Sequence, residues 1–138
     1  MSALTLRRTE EVMTRSLHTI DESERLVTAA RLMSEKRIHA LFVPGARPGE
    51  SLGVISLKDI VQILAHEEVE ALAAMTVADV VIRPVITVPA SMSIRECLRL
   101  MRMTGIRRAP VLKNDEVIGI ISSSDILRAI LADPAVAS

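Results

Sequence analysis

A chain of 138 residues suits one domain or two half-domains sharing a core, and its 49% hydrophobic share supports such a core without disulfide or metal staples. The balance of 17 Lys plus Arg against 17 Asp plus Glu, with Phe42 the only aromatic residue, excludes the basic surplus and stacking rings that nucleic-acid binding needs. A lone Cys97, no run of the ~18 apolar residues a membrane span requires, and Arg7-Arg8 with no apolar stretch behind them lead to the expectation of a cytoplasmic protein without an intramolecular disulfide, membrane span or signal peptide.

In chain order, Leu17–Ile20 is a short β-prone run. Behind it Leu26, Ala29, Ala30 and Met33 recur at three and four residues, which predicts a helix with one apolar face. Arg25 stands where a capping residue belongs, so this helix is expected to start raggedly. Ile38–Val43 and Gly53–Ser56 read as strands joined by the Pro- and Gly-bearing loop Pro44–Ser51. A helix follows from Ser56 with Ile60, Val61, Ile63 and Leu64, and Ala65–Asp79 reads as a partly helical connector. The order then recurs. Val85–Val88 is a β-prone run, and Ser93-Ile94-Arg95-Glu96 has the pattern of a capping box opening a helix with Ile94, Cys97, Leu98 and Met101 inward. Ile106–Leu112 and Val117–Ser122 are strands around the short loop Lys113-Asn114-Asp115, and a last helix from Ser122 carries Ile126, Leu127, Ile130 and Leu131. The strands are apolar at most positions, as strands covered by helices should be.

The recurrence is a duplication. Shifted by 68, residues 12–43 meet their counterparts with identities at Val12, Arg15, Thr19, Ser23, Arg31, Leu32, Met33, Ile38 and Val43, where chance gives roughly two or three. The shift then falls to 66, and Gly53–Ile60 lies on Gly119–Ile126; the length change falls in a surface loop. The fold class read from this is α/β (α+β), with repeats 1–70 and 71–138, each β-α-β-β-α, related by a pseudo-twofold axis.

The sharpest shared feature is Gly-apolar-apolar-Ser-x-x-Asp-Ile. Backbone N–H groups at a helix start attract phosphate, the hydroxyls of Ser56 and Ser122 add donors, and the carboxylates of Asp59 and Asp125 can accept from both hydroxyls of a ribose. A purely architectural reading stands beside this one: Ser56 and Ser122 as N-caps, with Asp59 and Asp125 favourable in the first turn. His18, His39, His66 and Cys97 have no metal-ligand spacing, and no nucleophile elbow, phosphate-binding glycine loop or dinucleotide fingerprint occurs, so neither catalytic residues nor a metal are expected.

Val12-Met13-Thr14-Arg15, Ile38 to Val43, Gly53 to Ile60, Gly105 to Val111 and Gly119 to Ile126, in this order and spacing, resemble a pair of tandem CBS repeats, also called a Bateman module, over residues 10–132. The resemblance implies a non-enzymatic regulatory module with no obligatory cofactor. Its expected ligand is AMP, ADP, ATP or another adenosyl compound such as S-adenosylmethionine or an NAD-like molecule. Asp59 and Asp125 would hold ribose, with Ser56 and Ser122 at ribose or phosphate. Gly105 to Val111 is similar to the phosphate-contacting strand of the AMP-activated kinase gamma subunit, which implies phosphate contact by Arg107, beside Arg108, and by its counterpart His39. Family-like positions for adenine walls are Thr19, Ile20, Ile38, Ala40, Thr87, Val88, Ala109 and Pro110. Lys58 precedes Asp59 where Ser124 precedes Asp125, and Phe42 faces Pro110 in the alignment, so the two sites are not equivalent. The family also implies a homodimer stacked through its helices and an effector protein whose identity is open. The competing expectation is a ligand-independent dimerisation or docking module.

Overall fold

The computed structural model describes residues 7–137, which divide into two compact units. One is His18–Val85; the other joins the described residues up to Leu17 with those from Ile86 onward. Among the described residues no helix is long and apolar enough to cross a membrane.

The unit His18–Val85 holds helix α2 (Leu26–Lys36), the antiparallel hairpin β1 (Ala40–Val43) and β2 (Gly53–Ser56), helices α3 (Leu57–His66) and α4 (Val69–Ala74), and a 3₁₀ turn at Val77–Asp79. The connector expected to be partly helical is therefore α4 and this turn. The other unit opens with the short helix α1 (Thr9–Val12). It continues with β3 (Val88–Pro89), α5 (Ile94–Thr104), β4 (Arg108–Lys113), β5 (Glu116–Ser122), α6 (Ser123–Leu131) and α7 (Pro134–Ala137). Its sheet runs β3-β4-β5, with β3 parallel and β5 antiparallel to β4.

The two cores are built from matching positions. Leu26, Ala29, Met33, Leu41, Val43, Ile55 and Ile60 pack in one; Ile94, Cys97, Met101, Ala109, Val111, Ile121 and Ile126 occupy the equivalent places in the other. Size changes are local, as in Leu41 against Ala109 and Ala29 against Cys97, which keeps each interior filled. Burial pushes the Cys97 thiol above its ordinary pKa, against a smaller opposing hydrogen bond from Thr9.

The first strand of each repeat is shorter than expected. Leu17–Ile20 contributes a single parallel bridge, Thr19 to Phe42, flanked by Ile20 N–H to Phe42 O (3.0 Å) and Phe42 N–H to His18 O (3.0 Å). The second repeat cannot copy this, because Pro110 replaces Phe42 and has no N–H to donate. Its pairing lies one residue further on, Val88 with Val111 and Pro89 with Leu112, instead of the expected Val85–Val88. The next strands also begin late, at Ala40 and Arg108 rather than Ile38 and Ile106.

Helix α5 has half of its expected capping box: Ser93 Oγ accepts from Glu96 N–H at 3.1 Å, and among the described residues no reciprocal bond from the Ser93 N–H to the Glu96 carboxylate forms. Helix α2 lacks a side-chain cap, as Arg25 foretold, but its first N–H is not idle. Leu26 N–H donates to Met75 O at 2.9 Å. The equivalent bond in the other unit is Ile94 N–H to Arg7 O at 3.1 Å.

These bonds belong to a larger pattern. In the first unit Val77 N–H donates to Glu24 O (2.9 Å), Ala78 N–H to Glu22 O (2.9 Å), and Val54 and Ile82 exchange two backbone bonds at 3.0 Å. In the other, Thr9 N–H donates to Met92 O (2.8 Å), Glu10 N–H to Ala90 O (3.1 Å), and Thr14 and Ile120 exchange bonds of 2.8 and 2.9 Å. Each compact unit thus takes its lead-in segment from the other sequence repeat, and the chain passes between units at Leu17–His18 and at Val85–Ile86. The glycines of the duplicated motif are the landing points. A Cβ on Gly53 would lie 2.5 Å from the Val81 side chain, and one on Gly119 would lie 2.6 Å from Thr14 O.

The loops differ as the alignment foretold. Asn114 and Asp115 both have positive φ, giving a two-residue turn whose twist suits a hairpin. The longer loop of the first repeat is tied down by Arg83, which donates to Ser51 O (2.9 Å) and Pro44 O (3.1 Å) and faces Glu22 at 3.4 Å. The Ala46 N–H holds the Glu50 carboxyl below its ordinary pKa, with help from Arg83 and Arg47.

Two expectations follow. Gly53→Ala and Gly119→Ala should each destabilise the protein by about 1–3 kcal/mol in urea melts, because the added methyl meets the docked segment, the Val81 and Arg83 side chains in one case and the Thr14 carbonyl in the other. A fragment of residues 18–85 should unfold cooperatively, whereas residues 1–70, lacking Val77 and Ile82, should not; circular-dichroism melts of both fragments check this.

Candidate functional site

In the first repeat β2 ends at Ser56, whose extended backbone (φ −114°, ψ 157°) turns directly into α3. Ser56 Oγ accepts from Asp59 N–H at 3.2 Å. In return Asp59 Oδ2 accepts from Ser56 N–H at 3.1 Å and from the Ser56 hydroxyl at 2.7 Å. The Ser56 proton is thus already given to Asp59. Both donors converge on one oxygen, and among the described residues Asp59 Oδ1 has no partner. Leu57 N–H donates to His39 O at 2.8 Å. Of the first three N–H groups of α3, two are engaged inside the protein, and only that of Lys58 has no partner among the described residues. The helix start therefore presents one donor, not the open set that the phosphate argument assumed.

In the second repeat Ser122 Oγ accepts from Asp125 N–H at 3.1 Å, and Ser123 N–H donates to Arg107 O at 2.9 Å. The carboxylate has different company. Arg128 Nη1 lies 3.0 Å from Asp125 Oδ1, and the Thr14 hydroxyl lies 3.5 Å from Oδ2. Asp125 is 17% exposed and Arg128 74%.

The pairing of β1 with β2 sets Ala40 against Ser56, and that of β4 with β5 sets Arg108 against Ser122. His39, Ser56 and Lys58 are brought together around a hollow of about 470 Å³, whose walls are Leu57 and Val61. Asp59 lines a separate hollow of about 330 Å³ with Gln62, His66 and Val80, and the two hollows share no lining residue. Ile38 and His39 also border a third, of about 290 Å³, beside Arg37 and Met33. In the second repeat Arg107, Arg108 and Ser124 are exposed and Thr87 is half-buried. Thr19 is exposed but tied to Phe42 and borders none of these three hollows. Ile20, Val88, Ala109 and Pro110 are buried, the first three inside the hydrophobic cores, so their side chains shape the strands behind the site. Among the described residues no His, Cys, Asp or Glu group could hold a metal ion.

Four neighbours of the carboxylates escaped the sequence reading: Gln62, Val80, Thr14 and Arg128. Arg128 was within reach of it, since three residues beyond Asp125 on a helix is a pairing distance. Thr14 and Val80 were not, because they arrive on the exchanged lead-in segments.

Comparison with known proteins places this geometry in context. The family model described as CBS domain matches twice, at residues 10–66 and 77–132. An uncharacterised protein of Methanopyrus kandleri is 32% identical over 119 residues; these are 86% of this chain, which spans 60% of that protein's length. Among solved structures, the hexameric CBS-CP12 protein from bloom-forming cyanobacteria is 30% identical with a TM-score of 0.75, covering 91% of this chain and 72% of that one. A putative signal-transduction protein with CBS domains from Burkholderia ambifaria is 27% identical with a TM-score of 0.70, covering 94% of this chain and 96% of that one.

Proposed function

Since the chain belongs to the CBS-domain family as a tandem pair, a class that is generally regulatory and ligand-binding, we propose that it senses an adenine nucleotide, AMP, ADP or ATP, or another adenosyl ligand, and passes the signal to a partner protein. The observation that carries this reading is the duplicated helix start. In each repeat a strand ends in Ser56 or Ser122, and an Asp three residues on holds its carboxylate at the mouth of the helix. At Asp59 one oxygen is anchored by the Ser56 backbone and hydroxyl, which leaves the other for a ribose hydroxyl. His39 and Lys58, which line a separate hollow with Ser56, are proposed to supply cationic or donor groups for phosphate, and Arg107 and Arg108 to do the same in the second repeat. Leu57, Val61 and Ile38 offer apolar surface for a base.

No catalytic role is assigned. A sensor acts through the difference in ligand affinity between two arrangements of the chain, so the signal is a population shift read by another protein. The chain is further proposed to form a homodimer. Val61 (55% exposed) and Leu64 on α3, and Leu127 (58%) and Leu131 on α6, leave apolar faces uncovered within one chain. A module that only dimerises or docks is the competing reading, and the same exposed faces favour it.

Calorimetric titration with AMP, ADP, ATP, NAD and S-adenosylmethionine separates the two. Binding of at least one is expected, and Asp59→Ala should weaken it by about 1.5–3 kcal/mol, roughly 10- to 150-fold. Silence with all five at millimolar concentration would leave the docking reading. In analytical ultracentrifugation the chain should sediment as a dimer, and Val61→Glu or Leu127→Glu should shift it toward monomer.

A further inference from the structure

We propose that Arg128 acts as an internal latch on Asp125, so that the two repeats bind ligand with unequal affinity and the Asp59 site fills first. This deepens the reading above and rests on it: both carboxylates must be ribose acceptors for the latch to matter.

Two differences at matched positions carry the inference. At Asp125 each carboxylate oxygen already faces a donor, Arg128 Nη1 at 3.0 Å on Oδ1 and the Thr14 hydroxyl at 3.5 Å on Oδ2. At Asp59 both donors fall on Oδ2, and among the described residues Oδ1 has no partner. The residues responsible are at repeat-equivalent places. Position 62 is Gln where position 128 is Arg, and position 82 is Ile where position 14 is Thr. An arginine is permanently charged, carries five donors and no acceptor, and is shaped to clamp a carboxylate. A glutamine is neutral and offers one acceptor as well as donors, so Gln62, at the rim of the same hollow as Asp59, can join a ribose contact instead of competing for it. The Ile82 side chain, unlike that of Thr14, has no donor to offer a carboxylate. A sugar hydroxyl arriving at Asp125 must share either oxygen with a donor already there, one of them charged, whereas one arriving at Asp59 meets an oxygen with no partner among the described residues.

The latch is a surface ion pair, because Arg128 is 74% exposed, so its effect is modest and tunable rather than a block. A handicap of about 1.5- to fivefold is what such a pair can impose. The two sites then fill over overlapping ligand ranges, with the Asp59 site ahead at every level below saturation.

The test is calorimetric titration of the full chain with AMP and with ATP. The wild type should show a tight and a weaker class of site, the tight one lost in Asp59→Ala and the weaker one in Asp125→Ala. Arg128→Gln, a change at an exposed side chain, should strengthen the weaker class by about 1.5- to fivefold or bring a second equivalent into view. The reciprocal Gln62→Arg should weaken the tight class by a similar factor. Two equal sites in the wild type, unmoved by Arg128→Gln, would overturn the latch while the ribose reading stands. Weaker binding in Arg128→Gln would also overturn it, by making Arg128 a ligand contact. No binding of either nucleotide to the wild type or Arg128→Gln would instead remove the ribose reading beneath it.

Discussion

The structure depends on four backbone hydrogen bonds. Val54 pairs with Ile82 and Thr14 with Ile120, and in both cases the docking strand carries a glycine where the incoming segment lies closest. Gly53 and Gly119 open the duplicated motif, so one stretch does two jobs. Its first residue admits the lead-in segment, and its Ser and Asp, three and six residues on, build the helix start. Side chains that reach the two carboxylates, Val80 near Asp59 and Thr14 near Asp125, are delivered by that docking. Architecture and candidate chemistry are therefore coupled through the same short segment.

The helix starts show how a cap and a binding group compete for the same atoms. Satisfying the first turn of α3 engages the Leu57 and Asp59 N–H groups, the Ser56 hydroxyl proton and one carboxylate oxygen. What remains for a ligand is one N–H and one oxygen, along with the exposed cations nearby. The capping reading and the binding reading are thus not exclusive. The cap fixes the carboxylate in place, and preorganisation of this kind lowers the ordering cost when a ligand arrives.

Much of this was legible in the sequence, and the failures have physical causes. The duplication, the positions of the cores, the caps at Ser56, Ser93 and Ser122 and the loop-length change all follow from spacing and residue type, and they stand in the structure. The first strands were overextended because β-prone composition says nothing about available partners; Pro110 removes a donor that Phe42 supplies in the other repeat. The exchange of lead-in segments was not legible at all. Two repeats with near-identical core faces present the same pattern whichever segment docks on them, so periodicity cannot distinguish the two pairings. Glycines inside strands were a signal of close backbone approach, but they do not say whose backbone approaches.

The exchange also sets an order of events during synthesis. The unit His18–Val85 is one uninterrupted stretch and can close as soon as Val85 has left the ribosome. The other unit includes Thr14, which is made before that stretch, yet its partner is Ile120. Thr14 must therefore wait, unpaired with Ile120, while more than a hundred further residues are translated. Over that interval its only protection is whatever receives it transiently, so a segment made early settles late.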